Sequence, residues 1–171
     1  PTVQPKFVAE LSSRCPNLRY LKLEEPVMAS KIRAIERETE GRVKVLEGWG
    51  GLYVLELTPV GISGLMPGLA LADVLHRVFL LRRAGRSADA FALFEKVLPQ
   101  IVFSLQNMEL YLYCEKRLLM ARGLGKNELR RSAAYTPDVD CVSYVEELNQ
   151  QILETISKLE SFPTPAARRV D

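Results

Sequence analysis

Histidine occurs once in the 171 residues, at His76, and cysteine three times, at Cys15, Cys114 and Cys141. None of the four stands at metal-ligand spacing, and His76, beside Arg77, reads as the surface of an amphipathic helix, so no metal is expected. An odd number of cysteines, each inside a helix or at its flank, describes reduced thiols and a cytoplasmic protein, not a disulfide framework. An excess of one charge is missing too. Twenty-three Lys and Arg face 21 Asp and Glu, for a net charge of +2 with the signs interleaved, which argues against nucleic acid or a membrane surface as partner. No apolar run reaches the length of a membrane span, since residues 52–81 are broken by Glu56, Pro59, Pro67, Asp73, His76 and Arg77. Signal peptide, internal repeat and low-complexity tract are all absent. Gly48-Trp49-Gly50-Gly51 has no Lys-Ser or Lys-Thr after it and does not meet the dinucleotide fingerprint, so it predicts neither a phosphate loop nor a cofactor. The first residues, Pro1-Thr2-Val3-Gln4-Pro5, lack an initiator Met, from which the chain is expected to begin inside something longer.

What is present suits a soluble globular chain: 47% hydrophobic and 26% charged residues. Val3 to Ser13 reads as a helix with Pro5 in its first turn. Tyr20 to Glu24 reads as a buried strand closed by Pro26. Ser30 is the expected cap of a helix over 31–40, with Ile32 and Ile35 inward and Gly41 as its stop. Arg42 to Glu47 is a second strand, Leu52 to Leu57 a helix ended by Pro59 and Gly61, and Ile62 to Met66 a short third strand. An amphipathic helix comes next over 71–83. Strands alternating with helices at this spacing call for a parallel sheet with right-handed crossovers. From Ser87 the chain turns helical, first over 87–105 with Phe91, Phe94, Leu98, Ile101 and Leu105 inward and Pro99 set to kink or split it. Further helices are expected over 107–122 and 138–160, the latter with Cys141, Val145, Leu148, Ile152, Ile156 and Leu159 on one face. The Met and Tyr residues over 108–113 read as a buried subunit contact.

Three parallel strands leave faces and edges open, and this pattern is that of the last part of a (β/α)8 barrel of about 250 residues. The fold expected is therefore α/β: the C-terminal portion of a TIM barrel over 1–85, a three-helix extension over 86–162 and a flexible tail over 163–171. Within it one residue invites chemistry. On the first strand Tyr20, Lys22 and Glu24 share one face, and Leu21 and Leu23 the other. Kept dry, the Lys22 amine is uncharged and can condense with a carbonyl as a Schiff base; at a strand end it would instead reach water beside Glu24.

The ordered set Cys15-Pro16-Asn17, Tyr20-Leu21-Lys22-Leu23-Glu24, Val45-Leu46-Glu47-Gly48-Trp49-Gly50-Gly51 and Gly61-Ile62-Ser63-Gly64-Leu65-Met66-Pro67-Gly68 resembles the sixth, seventh and eighth strands of the dihydrodipicolinate synthase and N-acetylneuraminate lyase family. The helices with Ala90 to Phe94 and Glu115 to Gly123 resemble its C-terminal extension. The resemblance implies a class I lyase or hydro-lyase in which Lys22 forms an imine with pyruvate or a related 2-oxo acid, for aldol cleavage, condensation or sugar-acid dehydration. It implies that Gly48 and Trp49 flank the bound oxo acid, that Met66 lies against its pyruvyl group, and that Gly68 belongs to the mouth. Glu24 would read a substrate hydroxyl, relay a proton, or simply pair with Lys22. Gly50 and Gly51 replace the Asp-Glu pair with which the lyases hold sugar hydroxyls, which disfavours a sialic acid. The family's proton-moving tyrosine and its carboxylate-binding loop would precede Pro1, so these 171 residues are expected to be inactive by themselves. The complete enzyme is expected to be a tetramer. A catalytically dead relative or a helical interaction module is the alternative.

Overall fold

In the first stretch of the chain short parallel strands alternate with helices. The computed structural model describes residues 2–131 and 135–159, and the chain divides between Pro67 and Gly68 into two compact units. The tail expected over 163–171 lies outside the described residues.

In the first unit, α1 (Pro5–Arg14) leads to β1 (Tyr20–Leu23), α2 (Ala29–Glu38), β2 (Lys44–Glu47), α3 (Val54–Leu57), a 3-10 turn (Thr58–Val60) and β3 (Gly64–Leu65). The strands are parallel, in the order β1-β2-β3. All three lie within their expected ranges, but β3 keeps only two residues of its five. Helix α2 starts at Ala29 with Met28 before it, so Ser30 sits inside the first turn and caps nothing.

The register sets the two faces. Lys22 pairs with Leu46, and Leu46 with Gly64, whereas Leu23 pairs with Glu47, and Glu47 with Leu65. Leu23, Val45 and Glu47 are buried, together with Ile32 and Ile35 of α2 and Val54 and Leu57 of α3. Tyr20 on the opposite face is 60% exposed. The strand expected to be buried is thus buried on one face only. Parallel sheets ordinarily have both faces covered, because each crossover lays a helix on the sheet. Here Leu23, Val45 and Glu47 on one face are buried, and among the described residues of the first unit no helix covers Tyr20 and Lys22 on the other, which are exposed.

The second unit begins with a 3-10 turn (Leu69–Leu71) and runs through α4 (Ala72–Arg83), α5 (Ser87–Phe94), α6 (Leu98–Ser104), α7 (Met108–Ala121) and α8 (Val139–Ser157). Pro99 splits the expected 87–105 helix, occupying the first turn of α6, where its missing N–H costs nothing. Side chains from two loop residues start the long helices: Asn107 accepts from the Leu110 amide (2.8 Å) and Asp138 from the Cys141 amide (2.8 Å). The α4 stripe of Val74, Leu75, Val78 and Leu81 is buried, as are Ala90, Leu93 and Phe94 of α5. Leu110, Tyr113 and Cys114 of α7 cluster with Val145 of α8, and burial pushes the Cys114 thiol up to about 12. Of the Met and Tyr residues over 108–113, Tyr113 is thus internal, and Met108 is exposed.

Phe91 departs from the expected inward stripe. It is 54% exposed, with the Arg82 guanidinium 5.8 Å from its ring centre, because the split at Pro99 puts Ala90, Leu93, Phe94 and Val97 on the buried side. Phe94→Ala should therefore cost about 3–5 kcal/mol of unfolding free energy and Phe91→Ala about 1 kcal/mol or less. Urea denaturation of the two variants checks the order.

Candidate functional site

Strand β1 delivers Lys22 to the open face of the sheet one residue before its end, and the chain then carries Glu24 past it. Lys22 Nζ lies 3.1 Å from Glu24 Oε2, and the two side chains are 43% and 52% exposed. The dry surroundings considered for this amine are not formed by the described residues: the lysine is solvated and ion-paired. A pair this exposed is worth about 0–1 kcal/mol, so an entering ligand can separate it. Beyond Glu24 the loop is tied down by Glu25 and Lys31, an ion pair whose side chains are largely covered.

The neighbour that matters most to Lys22 is Gly48. Its amide donates to the Leu23 carbonyl (2.9 Å), continuing the β1-β2 ladder one step beyond the strands. A Cβ at this position would stand 2.8 Å from Lys22 Cε, 3.0 Å from Lys22 Cγ and 2.9 Å from the Leu23 oxygen. The aliphatic stem of the lysine therefore crosses the backbone at residue 48, which only glycine permits. By strand alternation Met66, half-exposed, belongs to this same open face, and its amide donates to the Glu47 carbonyl (2.9 Å).

Glu47, an ordinary strand residue by its sequence neighbours, points the other way and is fully buried. Its Oε1 accepts from the Trp49 amide (2.9 Å) and its Oε2 from the Gly51 amide (2.8 Å). Gly50 and Gly51 take φ values of 64° and 91°, the left-handed turn that swings those N–H groups back onto the carboxylate. Burial raises the Glu47 carboxyl above its ordinary 4.5, with the amides of Gly51, Trp49 and Tyr53 opposing and the charge of Glu24 adding to the rise. The glycine-rich loop thus carries its own anion, so the Trp49 and Gly51 amides are spent internally. Trp49 itself packs edge-on against Tyr53, ring centres 6.4 Å apart. A signal for Glu47 existed: Val43, Val45 and Glu47 alternate on the buried side, and a carboxylate there breaks the apolar pattern.

Gly68 belongs to the second unit. There the Glu115 carboxylate of α7 occupies the space a Cβ of Gly68 would need, and its Oε2 accepts from the Ala70 amide (3.0 Å). Arg122 bonds the Ala70 carbonyl and both oxygens of Asp73, at 2.9 and 2.5 Å. Burial raises the Glu115 carboxyl. At Asp73 burial acts in the same direction, but the hydrogen bonds and charge of Arg122 outweigh it and hold the carboxyl below 3.8. No sequence pattern announces Glu115, whose partner lies 45 positions away. Among the described residues no group of three His, Cys, Asp or Glu is arranged to hold a metal, and no helix is long and apolar enough to cross a membrane.

Neither the protein-family models nor the curated proteins contain a match. Solved structures do. A dihydrodipicolinate synthase from Rhodopseudomonas palustris superimposes with a TM-score of 0.78 at 25% identity, over 87% of this chain and 50% of its own. A 4-hydroxy-tetrahydrodipicolinate synthase from Methylacidiphilum fumariolicum gives 0.74 at 17% identity, over 92% and 52%. The resemblance to the dihydrodipicolinate synthase family holds in three dimensions. This chain spans about half the length of those relatives, and its three-stranded parallel sheet with many helices matches part of the dihydrodipicolinate synthase barrel.

The lysine seat and the buried carboxylate each give a measurable expectation. Gly48→Ala should lose about 1–3 kcal/mol of unfolding free energy, since the Leu23 carbonyl cannot move aside. Because the folded carboxyl of Glu47 lies above 4.5, the folded protein binds its proton before the unfolded chain does as pH falls. Wild type should therefore gain stability relative to Glu47→Gln as pH is lowered from neutral to 4.5, read from urea unfolding at both ends of that window.

Proposed function

We propose that this chain carries the Schiff-base lysine of a class I lyase or hydro-lyase acting on pyruvate or a related 2-oxo acid, and that the lysine is Lys22. The observation that carries the reading is the seating of Lys22 across Gly48 on an open sheet face, in a fold shared with dihydrodipicolinate synthases. In the complete enzyme this face would be the inner wall of a (β/α)8 barrel, with residues 1–85 giving its last strands and 86–162 a helical extension.

The chemistry begins with proton transfer. Lys22 must surrender a proton before its nitrogen can add to the ketone, and the Glu24 carboxylate, 3.1 Å away, is placed to accept it. Addition to C2 gives a carbinolamine. Glu24 returns the proton as the hydroxyl leaves as water, and the protonated imine remains. In aldol cleavage the C4 hydroxyl gives up its proton and leaves as an aldehyde carbonyl, while the electron pair of the broken C3–C4 bond flows toward that nitrogen as an enamine. In dehydration a proton leaves C3 first, and the resulting enamine expels the C4 hydroxyl as water. Gly48 lets the oxo acid approach the backbone, Met66 offers an apolar contact to the pyruvyl group, and Trp49 borders the opening. With Gly50 and Gly51 where the lyases carry an acidic pair, a sugar-acid dehydratase or pyruvate aldolase fits better than a sialic acid lyase. The working enzyme is a cytoplasmic homotetramer that uses no cofactor.

The exposed Lys22–Glu24 pair favours a second reading, a relative in which the lysine is a solvated surface cation and the chain an interaction module. Borohydride added with pyruvate to the complete enzyme separates the two. A stable mass increment is expected on the peptide containing Lys22 and none in Lys22→Ala; wild type unmodified with every 2-oxo acid would leave the non-catalytic reading.

A further inference from the structure

We propose that Glu47 is a positioning residue for the Lys22 amine, acting through the Trp49–Gly51 loop and Gly48. The inference rests on the Schiff-base reading of Lys22. Glu47 and Lys22 point to opposite faces of the sheet, so they do not touch; the backbone between them is what they share.

Gly48 is fixed from both directions. On one side its amide is bonded to Leu23, the residue after the lysine. On the other, the amides of Trp49 and Gly51 are held by the two oxygens of one buried carboxylate. The lysine stem rests on the Cα between these anchors with no slack for even a methyl group. A shift of that Cα by a few tenths of an ångström either crowds the stem or frees it to sample other rotamers.

The cost of the arrangement argues against a purely architectural role. A buried carboxylate must be desolvated, and at a strand end a hydrophobe would serve the core more cheaply. What the carboxylate supplies is two charge-assisted hydrogen bonds to a loop of three glycines and a tryptophan, a segment with little intrinsic order. A misplacement of about 1 Å at a reacting group lowers a rate by about 100-fold. Such precision is of use to an amine that must meet a carbonyl carbon, and of none to a solvated surface cation.

The test compares wild type with Glu47→Gln in the complete enzyme. Gln keeps the shape and one acceptor oxygen but places an NH2 against the other amide. Ile35→Val, fully buried on α2 and no party to the loop bonds, serves as a control for mere destabilisation. The readouts are the melting temperature, the rate of borohydride trapping on Lys22 and the pyruvate concentration at half-maximal trapping. Glu47→Gln is expected to trap about 10- to 100-fold more slowly at saturating pyruvate, while Ile35→Val traps at the wild-type rate. Undiminished trapping in Glu47→Gln overturns this inference and leaves the Schiff-base reading standing. Equal losses in the two variants overturn it as well, since the effect would then track stability alone. Absence of trapping in wild type removes the Schiff-base reading and this inference with it. Should Glu47→Gln fail to fold, Glu47→Asp, which keeps the charge with a shorter reach, carries the same expectation.

Discussion

Lys22 can lie across the end of β2 only because residue 48 has no Cβ. That contact orders the rest of the first unit. It requires β1 and β2 to be in the register observed, with Leu23 opposite Glu47, so that Gly48 falls beside the lysine stem. It requires the chain after β2 to turn at once, which Gly50 and Gly51 allow through their left-handed backbone. And it requires something to hold the turn, which the Glu47 carboxylate does from the opposite face.

The second unit uses a similar device with different parts. Glu115 fills the space beside Gly68 and binds the Ala70 amide, while Arg122 takes the Ala70 carbonyl and Asp73. One short segment is thus clamped by an acid and a base from the same helical stretch, α7 and the residue that ends it. In both units a short segment containing glycine is held by a carboxylate from outside it, although in the second Ala70 and Leu71 also join the core. The electrostatic signature is shared as well, burial raising the carboxyl of Glu47 and of Glu115. Burial likewise heads the causes that push the Tyr111 hydroxyl, with Glu115 nearby, up to about 12.

The strands, the split at Pro99 and the place of Lys22 on its strand were legible in the sequence because each rests on local signals: alternation, a missing N–H, a charge between leucines. Pairing partners were not. Phe91 reads as inward when a single 3.6-residue stripe is drawn through Pro99, but the break there rotates the turns on its far side. Ser30 looks like a cap, yet α2 begins one residue earlier. Glu47 is easily overlooked although its position in the Val43-Val45 alternation is plain, because a buried acid becomes legible only when the amides that satisfy it are known. Glu115 has no local signal at all. Whether Lys22 is dry or paired with Glu24 in water was left open by the sequence, because strand periodicity tells which residues share a face and says nothing of what covers it; the structure has the solvated pair.

The two carboxylates around Lys22 act on it in opposite ways. Glu24 is near the nitrogen and exposed, an ion-pair partner at 3.1 Å. Glu47 is far from the nitrogen, buried and fixed, and bears on the stem. An amine that must alternate between charged and uncharged forms benefits from a weak partner for its charge, because a pair worth about 0–1 kcal/mol is lost without raising the barrier much. It benefits equally from a firm seat for its carbon chain, because the seat persists through both forms. Were the roles exchanged, with the buried acid at the nitrogen, the ammonium would be locked in place by an interaction costing about 3–5 kcal/mol to break, and proton release would become the slow step. On the Schiff-base reading proposed for Lys22, charge control and geometric control would be separated on the two faces of one strand pair.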